Sequence, residues 1–226
     1  MGTDEHGRDL LSRIIWGGRV TLVLAIIALS LGGGFGILWG LLSAYLTGIL
    51  GNFLNRLIDL FMSFPSIMTA LFVLATFKSG GKAPLVIAIS ITLTPRFARV
   101  IRGSTLPILE EEFILAEQSL GASHLRILMA HVLPNLIAPI TVLLSIYLPY
   151  VIILEAGLSF LGLGAPPDVP TWGRIIAEGK AFMQVAPWLT TFPGIAIVFT
   201  SVGFNILGDG LRDIFDPKYT RRMGTE

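Results

Sequence analysis

The chain of 226 residues has no cysteine, which excludes a disulfide framework, a thiolate metal centre and a cysteine nucleophile. Charge is the next shortage. Asp, Glu, Lys and Arg supply 14% of the sequence and hydrophobic residues 53%, where soluble domains carry about 25% and 45–50%. The mean hydropathy is +0.77. A soluble chain this apolar would lack the polar residues to cover itself, so a bilayer is the solvent that suits it. A formal net charge of +1 offers no basic excess for nucleic acid. Histidine is scarce too: His6, His124 and His131 include no pair at the i, i+4 spacing of a metal-binding helix, so no metal is expected. There is no G-x-x-x-x-G-K-[ST] phosphate loop, and Gly32-Gly33-Gly34 lies inside an apolar run. No catalytic residue is assigned, and if transport is ATP-driven another chain must hydrolyse the nucleotide.

What the sequence has in abundance is long uncharged runs. Val20 to Asn55 contains no Asp, Glu, Lys or Arg, and about 20 such residues suffice to cross a bilayer as a helix. Similar runs predict an all-α, polytopic bundle of about five transmembrane helices, at about 20–47, 57–77, 83–101, 132–154 and 188–207. Met1 to Arg13 is polar and lacks the apolar core of a signal peptide. The segments 102–131 and 158–187 lie outside the predicted spans, the first on the inner and the second on the outer side if the C-terminus is cytoplasmic. The balance of Lys and Arg favours that orientation only slightly, with Arg56, Arg96, Arg99, Arg102, Arg126, Arg212, Lys218, Arg221 and Arg222 inside and Arg8, Arg13, Arg19, Lys78, Lys82, Arg174 and Lys180 outside. The whole chain reads as one transmembrane domain.

Within the first span, Ala28, Gly32, Gly36, Gly40, Ala44 and Gly48 recur every four residues and form a ridge without bulky side chains, suited to close helix packing in lipid. Asp59 and Glu155, the carboxylates near membrane depth, each sit close to a span end, where pairing or capping explains them better than a proton relay. No residue of a translocation path is identified. The segment Glu110 to Asn135 predicts a polar-faced helix from about Glu111 to Leu120, a break at Gly121-Ala122, and a new start at Ser123 as N-cap. Taken on physics alone, this is either a helical hairpin or an ordinary connecting loop.

At these residues the sequence resembles the cytoplasmic signature of ATP-binding-cassette importer permeases, E-A-A-x3-G-x9-I-x-L-P. Ala116, Gly121, Leu133 and Pro134 fall in register, while Leu115, Glu117 and His131 replace the Glu, second Ala and Ile. HVLPN at 131–135 has the form seen in the dipeptide and oligopeptide branch. GTDEHGRDLLSRI at 2–14, LSFLGLG at 158–164, TWG at 171–173, PG at 193–194 and FNILGDGLRDIFDP at 204–217 are similar to its C-type permeases. The resemblance implies a coupling helix near Glu112 to Ser123, with Glu112, Ala116, Glu117, Gly121, Ala122, Ser123, His131, Leu133 and Pro134 as coupling residues. It also implies a homologous second permease, two cytosolic ATPase subunits carrying ATP and Mg, an extracytoplasmic solute-binding protein, and residence in a bacterial or archaeal plasma membrane. This chain itself would bind no cofactor. Peptides are the expected cargo, with nickel or another small solute as the alternative, and an ATP-independent transporter as a remoter one. Relatives usually carry a further span before the GTDEHGRD segment. Without it, Gly2 to Arg13 would lie outside.

Overall fold

The computed structural model describes residues 2–46, 48–77 and 81–215. Lys78, Lys218, Arg221 and Arg222, part of the charge balance above, lie outside them, as does Thr47, where the first predicted span ends. The elements in order are α1 (Leu10–Tyr45), α2 (Gly48–Met62), α3 (Ser66–Thr76), α4 (Lys82–Leu109), α5 (Glu112–Ser119), and a turn α6 (His124–Arg126). A π-helical stretch (Ile127–Val132) and a turn α7 (Leu133–Asn135) then lead into α8 (Ile137–Phe160), α9 (Trp172–Gly179) and α10 (Trp188–Phe215). Four helices, α1, α4, α8 and α10, are long and apolar enough to cross a membrane. The chain is an all-α, polytopic membrane bundle.

The second span departs from the expectation of one helix over 57–77. It is broken into α2 and α3, which meet at 94°. Pro65 supplies the reason: it has no amide to donate and it disfavours helical geometry at Phe64. Ser63 closes α2 by donating its amide and hydroxyl to the Asp59 carbonyl at 3.1 and 2.9 Å. Other ends lie beyond the uncharged runs. α1 begins at Leu10 rather than near Val20, because Asp9 caps it by accepting from the Ser12 amide at 2.7 Å. α4 continues to Leu109 with Pro95 and Pro107 inside it, so residues from 102 onward, expected outside the third span, continue its helix.

The core is built on a seam between α1 and α4. A Cβ placed on Gly32 would lie 2.7 Å from the Ser90 carbonyl oxygen, on Gly36 2.6 Å from that of Thr94, and on Gly40 2.7 Å from that of Ala98. Three glycines thus face three successive turns of α4, and the two helices run in the same direction. Ala28 and Ala44 are buried along the same ridge. Gly48 is not part of it: it opens α2 with φ +72° and nothing within 4 Å of its Cβ position, so it serves the turn after α1. Hydroxyls cross the seam, with Ser90 reaching the Ala28 carbonyl at 3.0 Å and Thr94 that of Gly32 at 3.3 Å.

The segment 158–187 folds back on the bundle. Thr171 caps α9 by accepting from the Arg174 amide at 3.1 Å. The Trp172 indole donates to the Ile14 carbonyl at 2.9 Å and lies against Gly18, and its amide donates to the Thr21 hydroxyl at 3.1 Å. Glu155, expected near a span end in a pairing or capping role, is fully buried within α8 and accepts from the Ser159 hydroxyl at 2.7 Å. Arg13 joins the N-terminal segment to α9 through Asp4 at 2.7 Å and Glu178 at 2.8 Å. Partial burial raises the Asp4 pKa, but hydrogen bonds from Arg8 and His6 outweigh it and hold the carboxyl at about 2.

The seam makes a specific expectation on one helix. Gly36→Leu should lower the yield of detergent-stable protein severalfold, because the α4 backbone cannot retreat. Gly34→Leu should not, since nothing lies within 4 Å of its Cβ position. Equal yields in fluorescence-detected size exclusion would show that the seam does not depend on glycine.

Candidate functional site

The connection between α4 and α8 is largely helical. α4 ends at Leu109 and α5 starts at Glu112, where a carboxylate in the first turn suits the helix dipole. Ile114 is fully buried in the main core and anchors α5 to the bundle. Apolar side chains beside it are uncovered among exposed polar ones: Phe113 is 43% exposed, Leu115 51% and Leu120 84%. Beyond the break, Leu125 and Met129 are exposed as well. Exposed apolar side chains grouped in this way are what a protein or membrane contact surface presents.

The break itself is a left-handed C-terminal cap. Gly121 has φ +78°, its amide donates to the Gln118 carbonyl at 3.0 Å, and the Ala122 amide donates to that of Glu117 at 3.0 Å. These two bonds satisfy the last carbonyls of α5 and turn the chain. Ser123 then caps the next turn by accepting from the Arg126 amide at 3.4 Å. The hairpin is closed by His131, whose Nε2 lies 3.5 Å from Glu117 and whose ring stands 6.3 Å from that of Phe113.

The residues singled out in the sequence therefore fall into two groups. Glu112, Ala116, Glu117, Gly121, Ala122, Ser123 and His131 come together in the hairpin, with Glu112, Ala116, Gly121 and Ser123 exposed. Leu133 and Pro134 lie in α7, where the chain rejoins α8, and the Asn135 side chain donates to the His131 carbonyl at 2.7 Å across that turn.

Two features were missed. Leu115, Leu120 and Leu125 are exposed and form an apolar excess in an otherwise polar segment. Tyr45, at the end of α1, meets His124 in a side-chain hydrogen bond, which ties the hairpin to the α1–α4 seam. Between them is a cleft of about 460 Å³ lined by Ala44, Leu109, Gln118, Ala122 and Ile127. No local pattern forecasts a contact between residues so far apart in the chain. Among the described residues, no three His, Asp or Glu side chains are placed to share a metal ion.

Comparison with known proteins gives this geometry a context. The family described as "Binding-protein-dependent transport system inner membrane component" matches residues 36–221. The chain is 39% identical to the dipeptide transport system permease protein DppC of Alkalihalophilus pseudofirmus, over 96% of this chain and 71% of that protein. It is 41% identical to the glutathione transport system permease protein GsiD of Pectobacterium atrosepticum, over 96% of this chain and 72% of that one. Its fold is similar to a chain of the inward-facing MetNI methionine ABC transporter, with a TM-score of 0.75 at 18% identity over 91% of this chain and 98% of that chain.

The cap at Gly121 generates the local expectation. With nothing within 4 Å of its Cβ position, Gly121→Val is opposed only by backbone strain, about 1–3 kcal/mol. Hydrogen exchange at the Ala122 amide should therefore rise about 5-fold to 100-fold in the Val variant and much less in Gly121→Asn, since asparagine tolerates the left-handed region. Unchanged exchange in Gly121→Val would show that the cap is not what holds the break.

Proposed function

Because this chain belongs to the family of binding-protein-dependent transport inner membrane components and is an ABC importer permease, we propose that it moves di- or oligopeptides inward across a bacterial or archaeal plasma membrane. The observation that supports the cargo is the 39–41% identity, over 96% of the chain, to permeases for dipeptide and for glutathione, itself a peptide. The working unit in this reading is the chain with a homologous permease, two cytosolic ATPase subunits that bind and hydrolyse ATP with Mg, and an extracytoplasmic solute-binding protein. The C-terminus and the Glu112–Ser123 hairpin face the cytoplasm, and 161–187 faces outside.

The hairpin's exposed leucines and Phe113 form the surface on which an ATPase subunit docks. Motion of that subunit reaches the bundle without a slack linker, since α5 follows α4 after two residues and Ile114 is held in the core. Physically, ATP-bound and nucleotide-free partners need only differ in affinity for two arrangements of the bundle to alternate its access.

The purified complex in proteoliposomes, with its binding protein, should accumulate a radiolabelled dipeptide when ATP is present on the ATPase side. Omitting the ATPase subunits should abolish uptake. Uptake that persists without them would make the chain a stand-alone transporter and overturn the proposal.

A further inference from the structure

Arg96 stands midway along α4 (Lys82–Leu109), a helix long and apolar enough to cross a membrane, and an ionisable side chain within such a helix is a functional-site hypothesis by default. It points into the corner between α2 and α3. Its guanidinium donates to the Ser66 hydroxyl at the start of α3 and lies over the Tyr150 ring of α8, 5.5 Å from the centroid. Tyr150 is itself braced edge-on by Tyr147, at 5.9 Å.

The charge is uncompensated. Asp59, the carboxylate on α2, is taken by Arg99, one turn further along α4, and among the described residues no acidic side chain pairs with Arg96. A guanidinium has five N–H donors, and Ser66 is the one described acceptor for them. The aromatic face fixes the plane of the group, and the N–H donors not used by Ser66 can serve a carboxylate oxygen. Beside it is a hollow lined by Phe61, Met62, Phe64, Thr69 and Thr92. At about 20 Å³, the hollow has room for about one water-sized group. One carboxylate oxygen fits there; a phosphate does not.

We propose that Arg96, positioned by Tyr150 and Ser66 at the α2–α3 corner, is a recognition site for the carboxy-terminal carboxylate of a peptide in transit. The site rests on the peptide reading above. It selects solutes by a free carboxylate, after the binding protein has released them.

The test compares ATP-driven uptake of trialanine and trialanine amide by the reconstituted complex with its binding protein. The binding protein is common to every arm, so its own preference cancels when variants are compared. The unaltered complex should carry the acid faster than the amide. Arg96→Gln, which keeps a donor for Ser66 but removes the cation, should lower uptake of the acid about tenfold or more and leave the amide within about twofold, below one charged hydrogen bond. Arg96→Lys, which keeps the charge without the fork, should lose part of the preference and remains informative if the Gln variant does not assemble. A parallel loss of both peptides, or an acid-to-amide ratio unchanged in the variants, overturns the site. If the unaltered complex carries neither peptide, the peptide reading itself fails, and that outcome is seen before any variant is made.

Discussion

The approach of α1 to α4 at Gly32, Gly36 and Gly40 is the constraint on which the remaining contacts depend. Lipid removes the hydrophobic drive between helices, so their association rests on packing and on a few polar bonds. The hydroxyl bonds of Ser90 and Thr94 across the seam contribute modestly, about 0.6 kcal/mol each by the membrane average. Contact between backbones therefore contributes more than they do, and it requires residues without side chains at three successive turns. Once α4 is fixed, Arg99 holds α2 through Asp59 and Arg96 holds α3 through Ser66. The two arginines thus brace both sides of a corner whose backbone Pro65 leaves incompletely hydrogen-bonded. Irregular backbone is tolerated at membrane depth only where protein or a polar path surrounds it.

The same helix leads into the hairpin. Tyr45 fastens the hairpin to α1, Ile114 fastens it to the core, and the left-handed cap at Gly121 fixes the angle between its two arms. In chain order α5 is continuous with α4 on one side and, through the π-helical stretch, with α8 on the other, which is the connection the proposed coupling would use. At the opposite end, Trp172 and Arg13 tie the fold-back segment to α1, so both ends of the bundle refer to one seam.

Much of this was legible in the sequence because the signals are local. Uncharged runs mark spans, a four-residue glycine repeat marks a packing face, and glycine followed by serine after an acidic helix start marks the break at Gly121. The failures have equally physical causes. Uncharged length does not report where a cap begins a helix, so Asp9 moved the start of α1 outward by ten residues from Val20. A proline in an apolar run can be absorbed into a helix, as Pro95 is in α4, or can break it, as Pro65 does between α2 and α3. Gly48 continued the numerical repeat but fell beyond the end of α1. Glu155 looked peripheral because α8 was expected to stop near Leu154, whereas it continues to Phe160 and α9 covers it. Trp172 and Tyr45 find partners distant in the chain, which only tertiary packing brings near.

The hairpin at Glu112–Ser123, as the surface through which a cytosolic ATPase drives this bundle, is the central claim. Because the chain has no cysteine, a benzophenone maleimide can be attached at one chosen position. The most direct measurement is photocrosslinking in the assembled complex from Leu120→Cys, at the exposed tip of the hairpin, and from Asp168→Cys, in the segment between α8 and α9. Docking on the hairpin predicts an ATPase adduct from position 120 and none from position 168. An adduct from 168 with none from 120 would contradict it.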